Sequence, residues 1–465
     1  MPLKDNSGII LVIGIFIFVN LFFFNYYGIF WDSAVYIGMG KFIYSFGNAG
    51  LWEPARPILW PLILGLFWKI KLNIHLFGQF LSTLASIISI YFVYDLIKKF
   101  GNKNAAIIFS LFFSLSIPLI KFSSAILVDI PSMLFSLSAI YLIVKKEKFF
   151  IPGILIGMAV LTKFTHLIFL PIIVLAAILK KEERIKNIIY AVLGFSIPIA
   201  PFITFNYILY SDPTYTLVQA KWLIEHVVSN YSSSTSAFFY LKNIFIENPF
   251  TALSLIPVFI LFKSKNWKLA LIIAAMLIPL AYHSFTLNYK HIRYSVMFLP
   301  YLFILAGQGY SYLIGKTTKA TQYLLFFLVF IQIGYSFSQI HNEFFEGTDI
   351  YSDFYSYIDN NTIKGELWST TPAITAVRDV KIDELMYYPV WDNKKIEKLD
   401  KKLDNGTKIQ YIFINSCDIP CVNYDQNCPE KTEQLMGKIS ENFNVGFNKT
   451  MGICKLKIYT WKNDE

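Results

Sequence analysis

WDSAVY at residues 31–36 and EPARP at residues 53–57 follow the first long apolar segment of the chain, residues 9–24. The two stretches place an acid, Asp32, and a cation, Arg56, among aromatic side chains beside a segment of nearly bilayer-spanning length. A charge so close to hydrocarbon is costly, so it usually has a partner or a task. The pattern therefore predicts a membrane protein whose charged functional residues gather at one membrane face.

The composition supports a membrane-embedded chain. Of its 465 residues, 55% are hydrophobic and only 15% are charged, and the mean hydropathy is +0.49. A water-soluble domain is closer to about a quarter charged. We expect an α-helical polytopic membrane protein, and we interpret the first apolar run as a retained helix because no small-residue cleavage site follows it.

The positive charge indicates topology rather than nucleic-acid binding. The formal net charge is +10, but the basic residues fall in short clusters between apolar blocks. This is how the positive-inside rule appears in a sequence. The clusters, which we place on the cytoplasmic side together with the N-terminus, are Lys98, Lys99 and Lys103; Lys145, Lys146 and Lys148; Lys180, Lys181, Arg184 and Lys186; Lys263, Lys265 and Lys268; Lys316 and Lys319.

This arrangement predicts about eleven transmembrane helices in a domain that covers residues 1–339. The predicted segments are 8–25, 74–97, 104–120, 125–144, 150–162, 164–180, 187–209, 247–262, 269–285, 292–313 and 320–339. The first outer loop, 26–73, contains an apolar piece at 57–70 that is too short to span and is expected to lie at the interface. Residues 210–246 are predicted as a long outer loop.

Residues 340–465 are polar and mixed, and strand-like runs occur at 410–414 and 455–459. We predict a small α/β domain outside the membrane. All four cysteines of the chain fall in it: Cys417, Cys421, Cys428 and Cys454. An even number of cysteines in an exterior domain favours disulfides, with a zinc site as the alternative. The spacing does not give the pairing.

Asp32 and Arg56 each have two interpretations. Asp32 is a candidate general base for an acceptor hydroxyl, or the N-cap of an interfacial helix over 33–46. The planar guanidinium of Arg56 suits a phosphate, or it forms an ion pair with Glu53. Prolines on both sides of Ala55-Arg56 stiffen this part of the loop.

Three further charges lie near the predicted outer face. Asp129 lies about one turn inside the fourth helix, and Lys163 lies at the outer turn between the fifth and sixth. Each is a functional candidate, or the two neutralise one another or pair with Lys121. Arg293 forms a basic cluster with Lys290 and His291. Because cations are disfavoured outside, this cluster points to an anionic lipid headgroup or phosphate.

The sequence shows no Walker loop and no dinucleotide-binding, zinc-protease or serine-hydrolase motif. A sugar nucleotide is therefore not the expected donor, and no nucleic-acid partner is expected. Glu225 and His226 are candidates for an acceptor or metal contact, with a solvated surface as the alternative.

With these residues the chain resembles the GT-C membrane glycosyltransferases, in the branch of the dolichyl-phosphate-mannose protein mannosyltransferases and the aminoarabinose transferase of lipid A. The likeness covers about residues 26–310. Four motifs carry it. The first is Trp31-Asp32 with Tyr36, and the second is Arg56-Pro57 before an apolar run, with Ile58 where the family usually has a second proline. The third is Asp129 before Ile130-Pro131, followed by Leu161-Thr162-Lys163, and the fourth is Arg293-Tyr294 before Leu299-Pro300.

The resemblance implies roles for these residues. Asp32 would be the catalytic base, and Asp129 would be a second catalytic-site residue that supports the site or a second cation. Arg56, Lys163 and Arg293 would hold the donor phosphate. Glu53, Tyr36 and His291 would support the site. Some relatives bind a divalent metal, for which Glu53 and His226 are the candidates here.

The implied activity is transfer of a sugar, with inversion, from a polyprenyl-phosphate or dolichyl-phosphate donor in the cell membrane to an extracytoplasmic protein, lipid or glycan. The alternatives are a lipid or sugar transporter or flippase, which would show internal symmetry and helices broken near the midplane, and a non-catalytic membrane subunit. The sequence shows no clear internal repeat.

Overall fold

The computed structural model describes residues 7–23, 29–226, 236–264, 266–287, 289–344, 356–357, 365–386, 393–405, 409–418, 427–451 and 453–462. Sixteen helices of the described chain precede the exterior domain. They are α1 (Ser7–Phe23), α2 (Trp31–Tyr44), α3 (Leu59–Lys69), α4 (Ile74–Phe100), α5 (Lys103–Ser114), α6 (Ile117–Ser123), α7 (Asp129–Lys146), α8 (Phe150–Thr162), α9 (Phe169–Leu179), α10 (Arg184–Tyr210), α11 (Tyr215–His226), α12 (Phe239–Glu247), α13 (Leu255–Ser264), α14 (Trp267–Phe285), α15 (Leu299–Ile314) and α16 (Lys319–Phe344). Short 3₁₀ helices at Phe164–Ile168, Pro249–Ser254 and Ile292–Met297 lead into α9, α13 and α15.

Each of the eleven predicted apolar segments contains a helix. Among the described helices, four are long and apolar enough to cross a membrane unbroken, namely α4, α10, α14 and most of α16. Two bent pairs raise this number to six: α5 with α6, bent by 58°, and α12 with the helix that follows it, bent by 117°. The chain is a multi-pass membrane protein, and the number of about eleven crossings stays a prediction.

The predicted loop at 210–246 contains helical structure that the sequence analysis missed. Helix α11 and most of α12 fall within it. They contain 12 and 9 residues, so both are shorter than a membrane span. A search for segments of spanning length therefore gave no signal for them.

Helices α2 and α3 form a hairpin in the first outer loop. Their backbones touch where Gly40 faces Gly65: a Cβ atom on Gly40 would lie 2.7 Å from the Gly65 nitrogen and 2.6 Å from the Pro61 oxygen. Only glycine permits this approach. The hairpin holds the connecting loop, which carries Glu53 and Arg56, in a fixed place against the bundle.

The exterior domain contains a five-stranded sheet in the order β2-β1-β3-β5-β4. Its strands are β1 (Glu366–Ser369), β2 (Glu384–Leu385), β3 (Ile409–Asn415), β4 (Phe443–Met451) and β5 (Cys454–Trp461). Strand β1 runs parallel to β2 and β3, whereas β5 runs antiparallel to β3 and β4. Three helices accompany the sheet: α17 (Ala373–Val377), α18 (Asn393–Asp404) and α19 (Cys428–Asn442). The predicted strands at 410–414 and 455–459 are thus confirmed as β3 and β5.

The two faces of this sheet have different partners. Ile412 and Ile414 pack in a core with Leu399 of α18 and Leu435 of α19. Phe413, which points the other way as strand alternation requires, packs in a second core. That core joins the sheet to Val35, Met39 and Leu51 of the first outer loop.

Polar contacts add to this docking. Lys41 of α2 donates to the Arg378 carbonyl over 3.0 Å and lies 2.9 Å from Asp379. The Gly50 nitrogen donates to the Val380 carbonyl over 2.8 Å. Helix α2 therefore packs between the bundle and the exterior domain.

The predicted domain boundary near residue 340 lies inside α16.

The prediction of disulfides in the exterior domain is confirmed. Cys417 and Cys454 form one, which joins the end of β3 to the start of β5. Cys428 is also disulfide-bonded. The remaining cysteine, Cys421, lies outside the described residues.

Candidate active site

A cavity of about 730 Å³ lies where the first outer loop, the ends of several bundle helices and the exterior domain meet. Five residues that the sequence singled out line it: Asp32, Arg56, Asp129, Lys163 and Arg293. Tyr36 and His291 line it as well. Residues from five separate segments of the chain are thus brought to one place.

Asp32 is the centre of the charged cluster. The Arg56 Nη2 atom lies 3.0 Å from its Oδ1 atom, and the Arg293 Nη1 atom lies 2.7 Å from its Oδ2 atom. The alternative of a helix N-cap is wrong, because α2 begins at Trp31, its N-cap position is Phe30, and no side-chain cap hydrogen bond is formed there. The carboxylate instead accepts one contact from each of two guanidinium groups.

The charge state of Asp32 follows from these neighbours. Burial alone would raise its pKa, but the positive charges of Arg56, Arg293 and Lys163 lower it by more, so the pKa lies well below its ordinary value. Asp32 is therefore ionised at neutral pH. Burial is the main cause that raises the pKa of the Tyr36 phenol, which stays protonated.

Arg56 is held from three sides. Besides Asp32, its Nε atom lies 3.4 Å from the Glu53 Oε2 atom, so the predicted Glu53–Arg56 pair is also formed. Its guanidinium carbon lies 5.9 Å from the ring centres of both Trp31 and Tyr36. Aromatic faces and two carboxylates together fix the guanidinium in one orientation.

Asp129 and Lys163 form a second ion pair in the same cavity. The Lys163 Nζ atom lies 2.6 Å from the Asp129 Oδ1 atom, and Asp129 is almost fully buried. Asp129 is the first residue of α7, and Lys163 follows the last residue of α8. The two charges therefore neutralise one another, as one of the interpretations predicted. Lys163 also lines the cavity.

Tyr294 connects the two ion pairs. The Lys163 Nζ atom lies 4.8 Å from its ring centre, and the Arg293 guanidinium carbon lies 5.2 Å from it. His291 holds the backbone of this turn, because its Nδ1 atom accepts a hydrogen bond from the Arg293 nitrogen over 3.1 Å. Burial, followed by the charge of Arg293, lowers the pKa of His291 to about 4, so the ring is neutral and can accept this bond.

Several cavity residues could not be identified from the sequence, among them an aspartate and a histidine. Asp418 reaches the cavity from the exterior domain, and His283 reaches it from the end of α14. Both lie far along the chain from the other site residues, and neither belongs to a local motif. Asp418 reaches the cavity because the exterior domain packs on α2. Local sequence patterns do not predict such packing between domains.

The metal prediction for Glu53 and His226 stays a prediction. The side chain of His226 lies outside the described residues. Within the described part of the chain, no group of three or more histidine, cysteine, aspartate or glutamate side chains is arranged to hold a metal ion. Glu53 is buried and contacts Arg56.

Comparison with known proteins agrees with this geometry. Residues 55–207 match the family model described as dolichyl-phosphate-mannose-protein mannosyltransferase. The fold is similar to that of ArnT from Cupriavidus metallidurans bound to undecaprenyl phosphate, with a TM-score of 0.66 and 12% identity over 98% of each chain. The chain therefore has the GT-C fold that its sequence resembles. No curated protein sequence gives a match.

A second GT-C structure has a similar fold. The archaeal oligosaccharyltransferase AglB from Archaeoglobus fulgidus, in complex with an inhibitory peptide and a dolichol-phosphate, matches with a TM-score of 0.59 and 13% identity. The match covers 89% of this chain and 70% of AglB. The resemblance seen in the sequence is thereby confirmed. The family match includes Arg56, Asp129 and Lys163, and the structure adds Asp32 and Arg293 to the same cavity.

Proposed function

We propose that this protein transfers a sugar from a polyprenyl-phosphate donor to an acceptor on the extracytoplasmic side of the membrane. The observation that carries the proposal is Asp32, ionised and held between Arg56 and Arg293 in a cavity of a GT-C fold. Two structures of similar fold were determined with a polyprenyl phosphate. The transferred unit we propose is a hexosyl or pentosyl group, because a cavity of about 730 Å³ has room for one sugar beside a phosphate.

The basic side chains supply the donor site in this proposal. Arg56 and Arg293 present planar guanidinium groups, which match phosphate oxygens in geometry, and Lys163 adds a point charge. All three line the same cavity. A phosphate that arrives there competes with Asp32 for the two arginines. As the phosphate neutralises them, the pKa of Asp32 rises toward its ordinary value and the carboxylate becomes a better base.

The reaction we propose is a single displacement. The acceptor hydroxyl oxygen forms a bond to the anomeric carbon while the bond from that carbon to the phosphate oxygen breaks. The bonding electrons leave with the polyprenyl phosphate, whose charge Arg56, Lys163 and Arg293 stabilise. The hydroxyl proton passes to the Asp32 carboxylate. Attack from the face opposite the leaving group inverts the anomeric carbon. Asp129 holds Lys163 in place through their 2.6 Å contact.

The orientation we propose places the N-terminus in the cytoplasm and the exterior domain outside. The lysine clusters that include Lys145 and Lys180 lie on the side that we assign to the cytoplasm. The excess of lysine on this side supports the orientation through the positive-inside rule, and the disulfide of the exterior domain suits an oxidising compartment.

The experiment that tests this function uses the full-length protein in lipid nanodiscs. Radiolabelled mannosyl-phosphoryl-polyprenol is added with and without acceptor compounds, and release of polyprenyl phosphate is followed. We expect release that depends on enzyme and is inhibited by added undecaprenyl phosphate. Movement of intact donor between leaflets with no release would favour a flippase, and no consumption and no binding would contradict the proposal. A parallel reaction with EDTA tests whether a divalent metal contributes.

A further inference from the structure

Asp418 is a cavity residue that the proposed chemistry does not use. It ends a 3₁₀ turn, Ser416–Asp418, that directly follows strand β3 of the exterior domain. Asp418 and Cys417 both line the cavity that contains Asp32. The exterior domain therefore contributes a carboxyl group to a site whose other charged residues belong to the membrane domain.

The turn that carries Asp418 is firmly anchored. Cys417 is joined to Cys454 by the disulfide. The Lys455 nitrogen donates to the Ser416 Oγ atom over 2.8 Å, and the Cys417 nitrogen donates to the Asn415 Oδ1 atom over 3.1 Å. The position of Asp418 is thus set by the sheet and the disulfide.

The carboxyl group of Asp418 has unused hydrogen-bonding capacity. Its Oδ2 atom is buried and has no hydrogen-bond partner among the residues that the structure describes. Burial raises the pKa of Asp418 to about 7, against a hydrogen bond from Asn415 that lowers it. The pKa of Asp32 is lowered instead, because three neighbouring cations outweigh the effect of its burial. A buried polar atom without a partner is costly to maintain, so its presence at a cavity wall points to a ligand group that completes it.

The surroundings indicate which ligand. A carboxyl group with a pKa near neutrality can both accept and donate hydrogen bonds, which suits the hydroxyl groups of a sugar ring. Aromatic side chains line the same cavity and offer flat apolar surfaces to such a ring, among them Trp31, Phe164 and Tyr289. The donor phosphate needs the cations of the membrane domain, whereas Asp418 comes from the exterior domain, on the side from which a water-borne acceptor arrives.

We propose that Asp418 binds a hydroxyl group of a carbohydrate acceptor and so determines which acceptor is used. This inference rests on the proposed function and adds the acceptor class to it. Asp418 takes no part in holding the donor.

The test compares the wild type, Asp418→Asn, and Asp404→Asn in full-length protein in nanodiscs. Asp404 is an exposed carboxylate at the end of α18 in the same domain and serves as the matched control. Three quantities are measured: binding of undecaprenyl phosphate, hydrolysis of mannosyl-phosphoryl-polyprenol without acceptor, and transfer to n-octyl β-D-glucoside. Transfer to a serine-rich and threonine-rich peptide is measured in parallel. Thermal unfolding verifies that each variant is folded.

We expect Asp418→Asn to lower kcat/KM for n-octyl β-D-glucoside by about 10–100-fold. Undecaprenyl phosphate binding and donor hydrolysis should stay within about twofold of the wild type, and Asp404→Asn should match the wild type throughout. Unchanged transfer by Asp418→Asn would overturn the inference, as would a loss of donor hydrolysis. Transfer by the wild type to the peptide alone, or to neither compound, would overturn the carbohydrate assignment. If the wild type neither binds undecaprenyl phosphate nor consumes donor, the proposed function itself fails and this inference with it.

Discussion

At the residue scale, the proposed chemistry depends on the two arginines that contact Asp32. Two guanidinium groups contact one carboxylate, at 3.0 Å from Arg56 and 2.7 Å from Arg293. The same arginines are the groups best suited to a phosphate. The free site therefore keeps its cations in place with an internal anion, which the donor phosphate replaces in the mechanism that we propose.

The first prediction concerns Arg56. Arg56→Ala removes a phosphate contact that exists before and during the reaction, so it should raise the donor KM and also lower kcat. We expect a fall of about 10–100-fold in kcat/KM, measured as transfer rate against donor concentration. The matched control is Arg184→Ala, which removes an exposed arginine at the start of α10. A donor KM that is unchanged in Arg56→Ala would show that Arg56 does not bind the phosphate.

The second prediction concerns pH and stability. The pKa of Asp32 is lowered in the folded protein, so its stabilising charge is fully present above the unfolded pKa of about 4 and is lost as the pH falls below that value. The difference in Tm between the wild type and Asp32→Asn should be constant from about pH 7 to about pH 5 and should shrink below about pH 4. Shrinkage that is already evident between about pH 7 and about pH 5 would mean that Asp32 titrates near neutrality.

At the element scale, the α2–α3 hairpin positions the loop that carries Arg56. Gly40 lies against Gly65 so closely that a Cβ atom would meet backbone atoms at 2.6 and 2.7 Å. Backbone atoms cannot move aside as a flexible side chain can. The loop with Glu53 and Arg56 depends on this contact for its position relative to Asp32.

The third prediction follows from that contact. Gly40→Ala should separate the two helices, lower the Tm and reduce transfer, because Arg56 is displaced from Asp32. Gly14→Ala in α1 is the control, since a Cβ atom there meets nothing within 4 Å and alanine favours helix. The measurements are thermal unfolding and transfer rate. Equal behaviour of the two variants would show that the hairpin contact has no role in positioning the loop.

The elements also show what the sequence could and could not predict. Each of the eleven apolar segments predicted from the sequence contains a helix, because hydropathy is a local property. Strands β3 and β5 were found from their β-branched and aromatic residues in the same way. The pairing of Asp32 with Arg293 spans 261 residues, and the approach of Asp418 depends on domain docking. Such contacts are decided by tertiary packing, and only the family resemblance grouped Asp32 with Arg293.

At the scale of the whole molecule, the exterior domain completes the site. It packs on Val35 and Met39 of α2, and α2 also packs against the bundle through Ile37. The helix that carries Asp32 is therefore shared between the two domains. This arrangement places the cavity between the two domains, where the proposed function requires the lipid donor and the acceptor to meet.

The fourth prediction concerns the orientation of the whole chain. We expect Glu465 to lie outside the cytoplasm, because of the distribution of lysines and the disulfide of the exterior domain. Alkaline phosphatase fused after Glu465 should be active, whereas a fluorescent reporter that matures only in the cytoplasm should stay dark. The opposite pair of results would reverse the proposed topology. A fusion after Lys181, in a predicted cytoplasmic loop, provides the reciprocal control.

The central claim is that Asp32 is the base for sugar transfer, and Asp32→Asn tests it most directly. The amide keeps the shape of the side chain but cannot take the proton, so the transfer rate at saturating donor should fall by about 10²–10⁴-fold. Binding of undecaprenyl phosphate should be kept or strengthened, because Arg56 and Arg293 lose the charge of their internal partner. A folded Asp32→Asn protein that binds the phosphate and turns over at the parent rate would contradict the account.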